Sequence, residues 1–292
     1  MGQARRGAVL LVLTAVVVVA LAGSGCSKPK PVELQPKVLP PVVKEAGVLR
    51  AGIDLEYPPF GGTDNGAQAG LDLDVAAALA ERLGLKLVAV QVSPSEAATE
   101  LANGAVDVVL SVPFSAEALS NVTLAGSYIA DAEGFFVATE DTAPVKPTMT
   151  IRNLPVVPPA KVGAQKGSPA YWELLHELGP EGVQEFATLR KAIEALEAGQ
   201  VPVIAGDTLV GGYIARDYPT VHFAGQLDSA TLLGVGVVPD NTKLASATRD
   251  ALDGLAADGV LDAIRVKWLG NVPKLKVAVT DPAAETSASP TP

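Results

Sequence analysis

Between Gly47 and Gly270 the apolar positions switch between two periods. Val48–Ile53 is a short apolar run between Gly47 and the Pro/Gly-rich stretch from Tyr57 to Gly66, and it predicts a β-strand running into a turn. After Gly70, apolar residues recur every four positions at Leu71, Val75, Leu79 and Leu83. Asp72 and Asp74 lie in the first turn and Gly84 follows the last, which predicts an amphipathic helix with favourable end charges. A strand from Leu85 to Val92, a helix opened by Ser95 and Glu96 and closed at Gly104, and a buried-type strand from Ala105 to Leu110 complete a βαβαβ rhythm. That rhythm predicts an α/β fold with mainly parallel sheets flanked by helices.

A weaker copy follows. Leu101–Leu110 is echoed by Leu196–Ala205 as helix end, glycine stop and apolar strand, which is consistent with a second lobe without requiring one. Pro202 removes a ladder donor and places that strand at a sheet edge or places the proline at a strand start. Lys161–Gln165 reads as a strand, and Gly167-Ser168-Pro169 as a helix start with Ser168 as cap and Pro169 in the first turn. Free backbone N–H groups at Gly167 and Ser168 would suit an anion. From Thr242 to Leu269 the pattern predicts two helices broken at Gly259.

The ends differ from this middle. Arg5 and Arg6 precede an apolar run from Ala8 to about Gly23, and small residues then lead into Cys26. Basic, apolar and small residues in that order are the layout of a secretory signal, and the run is short for a bilayer span. Residues 1–25 are therefore expected to be a lipoprotein signal peptide, with Cys26 as the acylated first residue. An uncleaved signal anchor remains the alternative. Residues 26–45 are rich in proline and lysine and predict an extended tether, while 273–292 have little to bury and predict a largely disordered tail.

Composition narrows the function. A formal charge of −10, or −12 without Arg5 and Arg6, disfavours nucleic acid and anionic lipid surfaces as partners. With Cys26 the only cysteine, no intrachain disulfide can form. The two histidines, His176 and His222, stand beside no metal or nucleophile cluster, and there is no phosphate loop. Neither metal nor cofactor is expected.

The blocks Gly47–Asp54, Tyr57-Pro-Pro-Phe60, Gly70–Ala76, Leu101–Val109, Val162-Gly163, Gly167-Ser168, Ala257–Gly259 and Lys267–Gly270 together resemble the extracellular solute-binding proteins, family three. The resemblance implies a two-lobed type II periplasmic-binding fold that delivers a small polar solute, amino acid-like or amine-like, to an ABC permease, as a monomer tethered by a lipid anchor outside the cell. It divides the folded part into 46–130 and 233–272 as the first lobe and 131–232 as the second. Crossings then fall near Tyr128–Glu133 and Asp228–Gly236, where Gly234 and Gly236 could absorb rotation.

By the same resemblance Tyr57, with Phe60 behind it, covers the solute, Asp207 receives an amino group, and Asp54, Ser111, Gly167 and Ser168 line the cleft. Asp207 could equally cap a helix, and Asp54 a turn. In amino-acid binders of the family an arginine that grips the solute carboxylate follows the strand ending near Leu110; here Ala118 occupies that position and Pro113 replaces a hydroxyl residue. An exported enzyme of the cyclohexadienyl dehydratase type and a sensory module are the rival expectations.

Overall fold

The computed structural model describes residues 34–113, 121–154 and 161–277. Ala8–Gly23, Cys26, Ala118 and the tail beyond Val277 lie outside them.

In the first lobe the chain forms β1 (Val48–Ile53), the small hairpin β2 (Gly62–Asp64) and β3 (Ala67–Ala69), α1 (Leu71–Arg82), β4 (Lys86–Gln91), α2 (Ala97–Ala102), β5 (Val108–Pro113) and β6 (Thr123–Asp131). It then forms β7 (Glu133–Ala138), β8 (Val162–Gln165), α3 (Pro169–Leu178), β9 (Val183–Phe186), α4 (Leu189–Glu197), β10 (Val203–Asp207), α5 (Thr208–Ala215) and β11 (Val221–Gln226). The return runs through β12 (Thr231–Val237), α6 (Thr242–Ala257) and α7 (Val260–Leu269).

Two five-stranded sheets result, in the orders β4-β1-β5-β12-β6 and β11-β7-β10-β8-β9. Each is half parallel rather than mainly parallel. Strand β1 pairs parallel with β4 and β5, and β8 with β9 and β10, whereas β12 and β7 are antiparallel to both neighbours. The physical reason lies in the crossings: helix-linked strands return in the same sense, while strands that arrive from the other sheet run back against them. A single residue, Ala132, separates β6 from β7, and residues 227–230 separate β11 from β12.

Gly234 and Gly236 lie past the connection between the sheets, within a strand. Both pair inside β12, and a Cβ on Gly236 would stand 2.5 Å from Val122 Cγ1, so close packing is what excludes a side chain there. Strand β5 starts at Val108, after the turn at Gly104 (φ 66°) and after Asp107, whose carboxylate accepts the Lys44 and Arg50 backbone amides at 2.8 Å each. Pro202 precedes the central strand β10, so it marks a strand start and not an edge.

Residues 34–45, placed in the tether by composition, lie against the domain. Val43 is fully buried, Val38 and Val42 pack on the main core, and the Lys37 amide donates to Leu83 O at 2.9 Å. Val38 and Val42, four residues apart, turn toward the core with Val43, while Leu39 stays exposed. At the other end the Gln226 side chain holds both backbone groups of Lys276, at 2.7 and 3.1 Å, and Val277 forms a parallel bridge with Ala230.

Candidate functional site

A cavity of about 490 Å³, within the usual range for small-molecule sites, is lined from both lobes. Asp54, Tyr57, Phe60, Asp72 and Ser111 come from the first lobe, Asp207 from the second, and Asp131 from the first crossing. Gly167 and Ser168 are not among its lining residues: Ser168 caps α3 by accepting the Tyr171 amide at 3.2 Å, with Gly167 (φ 77°) in the turn before it.

Tyr57 and Phe60 face one another because the turn after β1 closes between them, the Phe60 amide donating to Tyr57 O at 3.0 Å. Their rings stack at 5.7 Å with 2° between planes. Phe60 is 5% exposed and Tyr57 50%, so the buried ring backs the one that meets the cleft. Asp54 holds the same turn, accepting the Glu56 amide at 3.1 Å and Gln91 Nε2 at 3.2 Å.

Beneath them lies an arrangement the sequence reading missed. Asp72, 1% exposed, accepts the Ser111 hydroxyl at 2.7 Å and the Tyr128 hydroxyl at 2.6 Å on separate oxygens. Tyr128 in turn accepts the Ser111 amide at 2.8 Å, and Ser111 takes a left-handed conformation (φ 55°) that lets both its groups reach inward. Burial pushes the Asp72 carboxyl up to about 7 although both hydroxyls favour its charge. Helical spacing held the clue: Asp72 falls on the buried stripe with Val75, Ala76 and Leu79, whereas Asp74 points away and meets Lys267 Nζ at 2.6 Å and Trp268 Nε1 at 2.7 Å.

The second group of acids gathers where the lobes join. Asp207 ends β10 and caps α5, its Oδ1 accepting the Val210 amide at 2.7 Å. Asp131 ends β6 and accepts the Ala132 amide at 2.9 Å. Burial and the nearby Asp207 charge push Asp131 up to about 8; burial raises Asp207 as well, against the α5 amides and a hydrogen bond with Asp131 that lower it. Glu133, one residue beyond the crossing, is raised to about 7 by burial and then by Asp207 and Asp228. Its Oε2 is buried without a partner. Asp131, Asp207, Glu133 and Asp54 all act electrostatically on Tyr57, and Asp54, Asp131 and Asp207 line the cavity with it. Among the described residues that line the cavity none is basic, and residues 114–120 and 155–160 contain no lysine, arginine or histidine.

A two-lobed α/β fold with a solute-sized cavity between its sheets is a binding-protein architecture. The chain belongs to the bacterial extracellular solute-binding proteins, family 3, whose model matches residues 49–271. It is similar to the L-cystine-binding protein TcyJ of Escherichia coli K12, 24% identical over 231 residues covering 78% of this chain and 85% of that one. It is also similar to an L-arginine-binding protein of Pseudomonas aeruginosa, 27% identical over 232 residues, 75% of this chain and 87% of the other. A stretch of 70 residues is 40% identical to a cyclohexadienyl dehydratase of the same organism, covering 24% of this chain and 26% of that enzyme. Among solved structures, an ancestral cationic amino acid solute-binding protein matches with a TM-score of 0.64 at 25% identity, over 76% of this chain and 96% of that one.

Proposed function

We propose that this protein captures a positively charged solute between its lobes and presents it to an ABC permease. One observation carries the charge: Asp131 and Asp207 meet beside the exposed ring of Tyr57, in a cavity with no basic lining residue among those described. Two neighbouring buried carboxylates, both pushed up by burial and one further by the other's charge, are relieved by a cation, and an aromatic face adds to its attraction. The printed names of the arginine-binding relative and of the ancestral cationic amino acid binder agree in charge. The cystine-binding relative leaves the solute open to other chemistry.

Several finer points belong to the same proposal. The protein is exported, its signal is removed before Cys26, and an acyl chain at Cys26 holds it to the outer face of the membrane as a monomer. It binds without turnover, Tyr57, Phe60 and Ser111 forming the first-lobe wall with Asp54 bracing the turn beneath Tyr57. Gly167 and Ser168 approach the solute only if the lobes close further.

A thermal-shift screen across cationic, neutral and acidic amino acids, amines and polyols tests the reading. A solute at a hundred times its dissociation constant adds about 2.7 kcal/mol to stability, and cations are expected to give the shifts. Shifts confined to acidic or uncharged solutes would reject the cationic assignment.

A further inference from the structure

Resting on that cationic reading, we propose that the solute is an amine with one charged end, an apolar body and no carboxylate. The cavity is not uniform. Asp131 ends β6 at one edge of the first-lobe sheet, with Asp207 and Tyr57 on the same lining, whereas Val92 follows β4 at the opposite edge and the lining continues with Ala97, Val109 and Val112. Those four side chains belong to a separate small hydrophobic cluster of the first lobe, with Leu101 and Val106 beneath them. A Cβ on Gly52 would lie 3.0 Å from both Val92 and Val109, so glycine there lets the two valines close over β1.

The polar groups on this wall are already engaged. Ser93 donates its hydroxyl to Glu96 Oε2 at 2.6 Å, and both oxygens of Asp72 are taken by Ser111 and Tyr128. Asp54 accepts Glu56 and Gln91 through Oδ1 alone, and it belongs with the acids that act on Tyr57 at the charged end. A second ammonium at the apolar end would therefore lose its hydration without gaining a partner, whereas an alkyl or aromatic body would be favoured by leaving water. A carboxylate fares no better, since no basic residue lines the cavity among those described and residues 114–120 contain none.

Calorimetry with n-hexylamine, 1,6-diaminohexane, phenethylamine, L-phenylalanine and L-arginine separates the possibilities at constant pH and salt. Hexylamine is expected to bind at least tenfold more tightly than the diamine of the same length, and phenethylamine at least tenfold more tightly than phenylalanine. Tighter binding of the diamine or of arginine would overturn the apolar-body assignment while leaving the cationic reading intact. If no cation binds and neutral or acidic solutes do, the cationic reading itself fails. Leu233, half-buried on the same lining, gives an independent arm: Leu233→Glu is expected to shift the hexylamine-to-diamine ratio toward the diamine. A folded variant with an unchanged ratio would remove this wall from the site; should the variant not fold, the wild-type pairs decide.

Discussion

The Tyr128 hydroxyl, on the strand that leads into the first crossing, donates to Asp72 Oδ1 at 2.6 Å on the first turn of α1. A buried carboxylate thus joins the start of a helix to the strand that carries the chain out of its lobe. Removing the hydroxyl leaves one oxygen of a 1%-exposed acid without a donor. Hydrogen bonds to charged groups contribute about 1.5–3 kcal/mol, so Tyr128→Phe is expected to lower unfolding free energy by about that amount in a urea titration. A change below about 0.5 kcal/mol would mean that the pair contributes little.

Asp207 can be read as a helix cap and as a cation ligand, and one substitution separates the two roles. Asparagine caps helices about as well as aspartate, so Asp207→Asn should leave the melting temperature of the unliganded protein nearly unchanged. The same variant should bind the cationic solute about thirtyfold more weakly, because truncating a desolvated charge pair costs about 2 kcal/mol or more. Alanine at this position would lose the cap as well, about 1 kcal/mol of stability. Wild-type affinity in the asparagine variant would leave Asp207 with the cap alone.

The raised acids set opposite pH dependences for folding and for binding. Asp72 and Glu133 titrate at about 7 and Asp131 at about 8, above the value of about 4 expected in an unfolded chain. The folded protein therefore binds more protons across that window, and the unliganded form should lose stability steadily as pH rises from about 4 through 8. Solute binding should run the other way. A cation that pairs with Asp131 must displace its proton below pH 8, so affinity should strengthen toward about tenfold per unit between pH 6 and 8, with proton release measurable by calorimetry in two buffers. Affinity that is flat over this range would show that Asp131 does not ionise on binding.

Replacing Cys26 by serine should release the protein from the membrane fraction into the soluble fraction, since acylation needs the thiol. Retention would instead favour an uncleaved signal anchor.

Much of the architecture could be read from the chain because its signals are local. Gly259 adopts φ 75° between α6 and α7, Ser168 caps α3 with Pro169 behind it, and β1 spans the apolar run that predicted it. What escaped was the meeting of distant residues. Asp131 sits at the end of a strand and looks like any turn acid until β10 brings Asp207 to it across the crossing. Asp72 and Asp74 look like interchangeable first-turn charges, yet two positions on a helix are about 200° apart, so Asp72 shares the face of the apolar stripe and Asp74 does not, while the partners Ser111 and Tyr128 come from distant strands that no local pattern marks. The docking of residues 34–45 was hidden for a similar reason: their proline content argues for extension, and extended chain can still bury Val43 against a neighbouring surface.

The join between Gln226 and Lys276, with the bridge from Ala230 to Val277, brings a third length of backbone to the place where the lobes pivot. Any opening of the jaw must carry this strip along or peel it away. None of its residues is among those that line the cavity, so shortening or stiffening the carboxyl end offers a way to tune how easily the receptor gapes while leaving its choice of guest intact.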